Sequence, residues 1–157
     1  MDCKLVYQPD NIVRPVDPDY ATDTDKVNFT DGFPFLIVSD ASLTSLNQEM
    51  KIPLPMQRFR PNLVISNCES YAEDSWREIQ INSISFRLPK ACSRCSVPTI
   101  DAETAQTNKE PLTTLSRLRR WNNKVFFGQN ALHDNSGKLS VGDSVEIIKT
   151  GLKQPPL

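Results

Sequence analysis

Two cysteines and the charges around them are the residues of this sequence best suited to chemistry. Cys92 and Cys95 lie in the stretch "LPKACSRCSVPTID", residues 88–101, with a Cys-x-x-Cys spacing. Lys90 precedes the pair and Arg94 lies within it, and such cations favour the thiolate form of a cysteine. A thiolate among cations can be a nucleophile or the single protein ligand of a soft metal. The stretch therefore predicts a reactive sulfur or a metal site.

Three other interpretations of the cysteine pair stay open at this point. A structural zinc site needs about four ligands, and only Cys68 and His133, the one histidine, are at hand to complete it. A thioredoxin-like redox pair lies at a helix N-terminus, whereas the proline at position 98 predicts extended chain after Cys95. The third interpretation is that both cysteines only fill the core.

A second set of polar residues lies in "RFRPNLVIS". Arg58 and Arg60 precede a strand that begins with a proline, and Asn62 follows. Guanidinium groups bind anions through paired N–H donors, and an amide would add a directional contact. The alternative is a solvated rim, which is the commoner fate of surface arginines.

Two further features have simpler interpretations. The stretch "TTLSRLRRW" contains Arg117, Arg119 and Arg120, and it predicts an exposed basic face opposite the leucines of a short helix. Such a face could also dock a redox partner, in which case the chain would be a binding module. His133 is expected in a polar loop and not as a general base, because only the adjacent Asp134 could orient it.

The pattern of apolar and turn residues predicts six to eight short strands and two short helices. Strands are predicted at residues 4–7, 33–39, 61–67 and 124–127, with hairpins around Asn82-Ser83 and around Gly142-Asp143, the latter placing Val145 and Ile147 inward. Helices are predicted after Asp40 as N-cap and after Pro111, with Leu112, Leu115 and Leu118 on one face. The expected fold is mainly β with short helices (α+β), a barrel or sandwich with the helices outside.

Composition excludes several classes of protein. The chain has 157 residues, which fits one domain, and a formal net charge of −1 with an isoelectric point near 5.8. A nucleic-acid-binding domain would be more basic, and no window is apolar enough to span a membrane. The start, "MDCKLVYQPD", has no signal peptide pattern and predicts a fragment that begins at an internal boundary. The four cysteines are expected to be reduced.

Six stretches in order, "FRPNLVIS", "YAEDSW", "CSRC", "EPLTTL", "FGQN" and "GDSVEII", resemble the molybdenum cofactor sulfurase C-terminal domain, called MOSC. Within it they are most similar to the branch of the mitochondrial amidoxime-reducing component and its bacterial relatives. The resemblance covers residues 29–148 and implies a MOSC-type β-barrel with peripheral helices that binds a pyranopterin molybdenum cofactor. It implies that Cys95 is the molybdenum ligand and catalytic residue, and that the cofactor is also bound by Arg60, Asn62, Cys92, Ser93 and Arg94.

The resemblance also implies an activity, the reduction of N-hydroxylated compounds such as amidoximes, hydroxylamines and N-hydroxylated bases. Electrons would come from a flavin and iron–sulfur protein or a cytochrome b5 system. The alternative is a sulfur carrier that forms a persulfide on Cys95. The expected protein is a cytoplasmic bacterial monomer with no membrane span and no nucleic acid partner.

The expected organisation follows from the same comparison of motifs. Residues 1–28 would be the end of a preceding N-terminal β-domain or a lead-in segment, residues 29–150 the MOSC domain, and residues 151–157 a linker-like tail. Such a chain would lack half of the cofactor cleft and would be inactive alone. Ala105 stands where the family has a glycine, which is expected to alter a turn and not the chemistry.

Overall fold

A single mixed sheet holds the strands of the structure, a computed structural model that describes residues 2–9, 11–30 and 32–157. Its order in the described residues is β2-β1-β6-β4-β3-β7, with β5 paired to β6, and β1 and β2 are parallel while the other pairs are antiparallel. The strands are β1 (Phe35–Ser39), β2 (Leu63–Ile65), β3 (Trp76–Ile81), β4 (Ile84–Ser93), β5 (Arg120–Trp121), β6 (Lys124–His133) and β7 (Val145–Thr150). The helices are α1 (Asp40–Gln48) and α2 (Leu112–Leu118), with one-turn 3-10 helices at Met56–Arg58, Ala72–Ser75 and Val97–Thr99. The prediction of a mainly β fold with short peripheral helices is confirmed.

Bulges curl this sheet into a half-barrel. The register between β4 and β6 shifts twice, between Arg87 and Lys90 and again between Ala91 and Ser93. Each shift adds a residue to one strand, which bends the strand and increases its twist. Gly128 lies at the second shift with φ +79°, and a Cβ there would lie 2.6 Å from Cγ2 of Val38. A glycine is therefore required at this position of β6, because the neighbouring strand β1 leaves no room for a Cβ.

The sheet is buried on both faces at its centre. Ile37 and Val38 are neighbours in β1, both fully buried, and their side chains enter different clusters. Ile37 lies in the inner core of the half-barrel, while Val38 packs under α1 and α2 with Leu46, Phe59, Leu115 and Phe127. The strand predicted at residues 33–39 is confirmed as β1, and its continuous apolar run is typical of a strand buried on both faces.

Both helices form where the sequence predicts them, with one difference at a cap. The leucine face of α2 is confirmed, since Leu115 is fully buried in the cluster under the helices. The prediction that Asp40 caps α1 is wrong. Ser39, the last residue of β1, has extended backbone, and its Oγ accepts the N–H of Ser42 at 3.0 Å. An N-cap needs that non-helical conformation, whereas Asp40 is already the first helical residue.

Three local predictions are wrong. Residues 4–7 are irregular and exposed, not a strand. The hairpin around Gly142-Asp143 does not form, because β7 pairs with the edge of β3, and Ile147 remains 39% exposed while Val145 packs on the inner core. His133 ends β6 and does not lie in a loop; its ring is 5.4 Å from that of Phe35.

The segment before β1 packs on the central strands β4 and β6 through an ion pair and a small apolar cluster. Asp25 is buried and accepts Arg87 Nη2 at 2.8 Å, and Val16 and Val27 pack with Leu132. Burial alone would raise the pKa of Asp25, but hydrogen bonds from Thr22 and Arg87 outweigh it and lower that pKa. Residues 11–30 are thus attached to the half-barrel.

A buried polar network lies where α2 ends against β6. Asp74 accepts Arg119 Nη2 at 2.6 Å and Gln129 Nε2 at 2.9 Å, and both the carboxylate and the guanidinium are buried. Burial raises the pKa of Asp74, and Arg119 opposes that rise. Gln129 Nε2 also donates to the Gln154 carbonyl at 2.8 Å, which attaches the C-terminal residues to this network. The prediction of an exposed basic face is therefore wrong for Arg119, although Arg117 and Arg120 are exposed.

Candidate functional site

Strand β4 carries the cysteine pair to the rim of the half-barrel. Cys92 lies in the strand and is half-buried, Ser93 ends the strand opposite Phe126 of β6, and Cys95 is exposed just beyond it. The Arg94 N–H still donates to the Val125 carbonyl at 2.8 Å, so the chain stays attached to β6 past the strand end. Cys95 therefore lies at a fixed rim with its thiol open to solvent.

The chain after Cys95 turns at once. Residues Val97–Thr99 form one turn of 3-10 helix, in which the Thr99 N–H donates to the Ser96 carbonyl at 2.9 Å. The prediction of extended chain is wrong here, because Pro98 fits the first turn of a helix as well as extended chain. One turn of three residues provides no helix N-terminus of the thioredoxin kind.

Arg94 is the cation that contacts the cysteine pair. Its Nη1 donates to Cys92 Sγ at 3.2 Å and its Nη2 donates to the Phe59 carbonyl at 2.7 Å. Its Nε is buried and has no hydrogen-bond partner among the described residues. The other expected cation, Lys90, instead lies with Nζ 4.2 Å above the Tyr20 ring, where it helps to hold the N-terminal segment.

The "FRPN" segment passes beside this arginine and is anchored by an aromatic ring. Phe59 is fully buried, with its ring centroid 4.4 Å from that of Phe127. Arg60 is exposed and has left-handed backbone, with φ 55°. Asn62 is exposed too, and it pairs with β1 through both its backbone N–H and its Oδ1, at 2.9 and 2.8 Å from Leu36. The segment thus holds Arg60 and Asn62 at the surface in a defined conformation, and left-handed backbone in a residue other than glycine is typical of functional sites.

Arg58 has a different position from the one the sequence suggested. It is 8% exposed, its Nε donates to the Pro98 carbonyl at 3.0 Å, and its Nη1 pairs with Asp101 Oδ2 at 3.0 Å. Its Nη2 is buried, with no hydrogen-bond partner in the part of the chain that the structure describes. Arg58 therefore belongs neither to a solvated rim nor to an open anion site.

The zinc alternative is not assembled by the fold. Within residues 2–9, 11–30 and 32–157, no three His, Cys, Asp or Glu side chains lie together as a metal-binding group. Cys68 and Cys95 are free thiols, and His133 Nδ1 lies 3.1 Å from the Asn135 carbonyl. A metal at the rim would have to bring most of its own ligands.

The fold brings Cys92, Arg94 and the "FRPN" segment together, with Cys95 next in the chain. Sequence reasoning missed the buried anchor Phe59 and the ion pair of Arg58 with Asp101. Alternation in "RFR", where an apolar residue separates two arginines, was a signal for the first; nothing in the spacing pointed to the second. The Arg94 guanidinium thus lies between the Cys92 sulfur and the "FRPN" segment, and soft sulfurs beside guanidinium donors suit an anionic group containing a soft metal.

Comparison with known proteins identifies the family. The family model described as "MOSC domain" matches residues 24–146. The chain belongs to the MOSC family. Mitochondrial amidoxime-reducing component 1 of Homo sapiens is 39% identical over 133 residues, which cover 79% of this chain. Mitochondrial amidoxime reducing component 2 of Homo sapiens is 36% identical over 129 residues, covering 76%.

A third relative is named for a different activity. Molybdenum cofactor sulfurase of Oryza sativa subsp. japonica is 35% identical over 114 residues, covering 66% of this chain and 14% of that protein. The chain spans about 40% of the length of the amidoxime-reducing relatives that it matches. No helix among the described residues is long and apolar enough to cross a membrane.

Proposed function

We propose that this MOSC domain binds a pyranopterin molybdenum cofactor through Cys95, as part of an oxidoreductase that reduces N-hydroxylated compounds. The observation that carries the proposal is the exposed Cys95 thiol next to Arg94, whose guanidinium contacts Cys92 and the "FRPN" segment. The family and the names of the amidoxime-reducing relatives support the reaction class.

The residues at the rim fit such a cofactor. A molybdenum cofactor combines a metal held by soft sulfurs with an anionic phosphate, and thiolate is the matching soft ligand of a protein. Buried N–H groups without partners are rare in folded proteins, and Arg94 Nε is one of them among the described residues. An anionic group at the rim would compensate that donor, as bound phosphates do at other arginines.

Each residue at the rim has a role in this proposal. Cys95 would hold the metal of the cofactor as its protein ligand. Ser93, Arg94 and Cys92 would hold the cofactor from the end of β4, and Arg60 and Asn62 would hold it from the "FRPN" segment. When bound, the cofactor supplies the two-electron redox chemistry, and the protein supplies binding and orientation.

We further propose the domain bounds, the electron donors and the cellular location of the protein. Residues 29–150 form the cofactor-binding unit, and residues 1–28 lead into it. Residues 151–157 follow it as a linker whose start packs on the unit through the hydrogen bond of Gln129 to the Gln154 carbonyl. Electrons come from a flavin and iron–sulfur protein or a cytochrome b5 type donor. A cytoplasmic location fits the free thiols of Cys68 and Cys95, and cell fractionation tests it against the mitochondrial location in the relatives' names.

The activity is tested on the full-length parent protein, purified from a host that makes the cofactor. With a chemical or enzymatic reductant, the wild type should convert an amidoxime to the amidine, and Cys95→Ala should not. Cys92→Ala is the matched control, three residues away and also a cysteine, and it should keep most of the activity. Equal turnover by wild type and Cys95→Ala would refute the role of Cys95.

A sulfur-carrier function is the second candidate, and the similarity to a molybdenum cofactor sulfurase favours it. The Cys95 thiolate would attack the outer sulfur of a cysteine desulfurase persulfide, forming a Cys95 persulfide and releasing the desulfurase thiolate. Incubation with a desulfurase and cysteine should then add the mass of one sulfur atom to Cys95. Bound molybdenum without that adduct would exclude this candidate.

A further inference from the structure

Two arginines link the cysteine stretch to the "RFRPN" segment. One extends from each of these segments and bonds to the other. Arg94 comes from the cysteine stretch and its Nη2 donates to the Phe59 carbonyl. Arg58 comes from the "FRPN" side, and its Nε and Nη1 bind the Pro98 carbonyl and the Asp101 carboxylate. We call residues 94–101 the Cys95 loop. It is attached to the neighbouring segment at residue 94 and again at residues 98 and 101.

Cys95 lies between these two attachments. Residue 94 is adjacent to it and residue 98 is three positions later, so the chain has little freedom to move the thiol while both attachments hold. The Arg58 guanidinium is 8% exposed, and a buried hydrogen-bonded guanidinium holds a more defined position than a surface one. Phe59, fully buried between Arg58 and Arg60, fixes the segment from which Arg58 extends.

Asp101 also connects the Cys95 loop to the turn that follows it. While its Oδ2 pairs with Arg58, its Oδ1 accepts the Glu103 and Thr104 N–H groups at 3.1 and 2.9 Å. One carboxylate therefore orders the turn that follows the Cys95 loop and connects it to a buried guanidinium. These contacts give Asp101 a positioning role that its exposure alone does not suggest.

We propose that Arg58, together with Asp101, is a positioning residue that fixes the Cys95 loop and hence the direction of the Cys95 thiol. The proposal rests on the function above, in which Cys95 is the metal ligand. Arg58 acts through the loop and touches neither metal nor substrate. The planar guanidinium of arginine donates hydrogen bonds to the carbonyl and to the carboxylate at the same time. The single ammonium of lysine cannot do so in the same geometry.

Amide hydrogen exchange in this chain tests the loop directly. In Arg58→Lys, the peptide covering residues 94–101 should exchange at least about tenfold faster, because hydrogen bonds to a charged group are lost. Asp101→Asn keeps an oxygen for the Thr104 N–H and should accelerate exchange less. Arg117→Lys is the control, since Arg117 lies outside residues 94–101 and makes an exposed pair with Glu49 at 2.8 Å. Its loop exchange should stay within about twofold of wild type.

Peptides from the central strands separate positioning from general stability. If Arg58→Lys accelerates β4 and β6 as much as the loop, or leaves the loop within about twofold of wild type, the proposal is overturned. A second readout uses the molybdenum-loaded parent protein. The electron paramagnetic resonance spectrum of the metal should change shape in Arg58→Lys and remain as in wild type in Arg117→Lys. An unchanged spectrum would refute a positioning role at the metal.

The two proposals fail in distinguishable ways. A wild-type parent protein without molybdenum would refute the proposed function, while the exchange experiment would still decide whether Arg58 holds the loop. Bound molybdenum together with unaltered loop exchange in Arg58→Lys would refute the positioning role and leave the proposed function intact.

Discussion

Replacing Arg119 by leucine should destabilise the fold far more than the same change at Arg117, two residues earlier. Both arginines pair with a carboxylate, but the two pairs differ in burial. The side chains of Arg119 and Asp74 are 8% and 2% exposed, whereas those of Arg117 and Glu49 are 57% and 46% exposed. The change in side chain is identical, so burial is the main variable.

The magnitudes follow from what each change leaves behind. Arg119→Leu leaves a buried carboxylate with only Gln129 as a side-chain hydrogen-bond donor among the described residues. Removing one partner of a buried pair destabilises a protein by about 3–5 kcal/mol. Arg119 also lies 4.3 Å above the Tyr71 ring, a contact that leucine replaces only in part. Arg117→Leu removes an exposed pair, whose contribution is about 0–1 kcal/mol.

The Arg119→Leu effect should depend on pH. Burial already raises the pKa of Asp74, and loss of the opposing guanidinium raises it further. The unfolded chain then releases its proton from Asp74 near pH 3.9 while the folded chain keeps it, so stability falls as pH rises above about 3.9. The fall ends above the raised pKa of the folded state. Destabilisation relative to wild type should therefore be larger at pH 7 than at pH 4.

Urea unfolding followed by tryptophan fluorescence at both pH values measures these differences. Trp76 is buried in the inner core and reports on its loss. Asp74→Asn with Arg119→Leu should recover part of the stability, because no charge is then left unpaired. A loss below about 1 kcal/mol for Arg119→Leu, equal to that of Arg117→Leu, would refute the assignment of a buried pair.

Three further predictions concern the backbone and the N-terminal segment. Gly128→Ala should lower the free energy of unfolding by about 2–4 kcal/mol, because its Cβ would lie 2.6 Å from Val38; Gly142→Ala, with φ +95° but open space, should lower it by only about 1–2 kcal/mol, and equal losses in urea titrations would contradict the clash. Ala105→Gly should raise the unfolding free energy by about 0.5–1 kcal/mol, because Ala105 has left-handed backbone with φ 56°; a lower urea midpoint would contradict this. The lowered pKa of Asp25 contributes stability at neutral pH that is lost as pH falls from about 3.9 through that lowered pKa, so the protection factors of amides in residues 14–27, corrected for the intrinsic exchange rate at each pH, should fall with acid in wild type and less so in Asp25→Asn; equal falls would refute it.

The sequence predicted those features that follow from local patterns. The apolar run of β1, the hairpin turn at Asn82-Ser83 and the leucine face of α2 each depend on residues close in the chain, and each is confirmed. The N-cap was misassigned by one residue because strand and helix adjoin without a loop. The predicted hairpin at Gly142-Asp143 does not form, because β7 pairs instead with β3, which is distant in the sequence.

The candidate site shows the same difference between local features, which the sequence predicted, and nonlocal contacts, which it did not. Cys95, Arg60 and Asn62 were predicted from motifs, and the structure holds each at the surface. The pairing of Arg58 with Asp101 joins residues 43 positions apart, and Lys90 lies over the ring of Tyr20, 70 positions earlier in the chain. Such partners depend on how strands cross in space, which local spacing does not encode.

The central claim is that Cys95, and not Cys92, is the protein ligand of molybdenum. The most direct measurement is the molybdenum-to-protein ratio of the full-length parent and its two variants, determined by elemental analysis after purification from a cofactor-producing host. Cys95→Ser should lose most of the bound molybdenum, while Cys92→Ser, with equal thermal stability as a check on folding, should retain it. Equal molybdenum in wild type and Cys95→Ser would contradict the account.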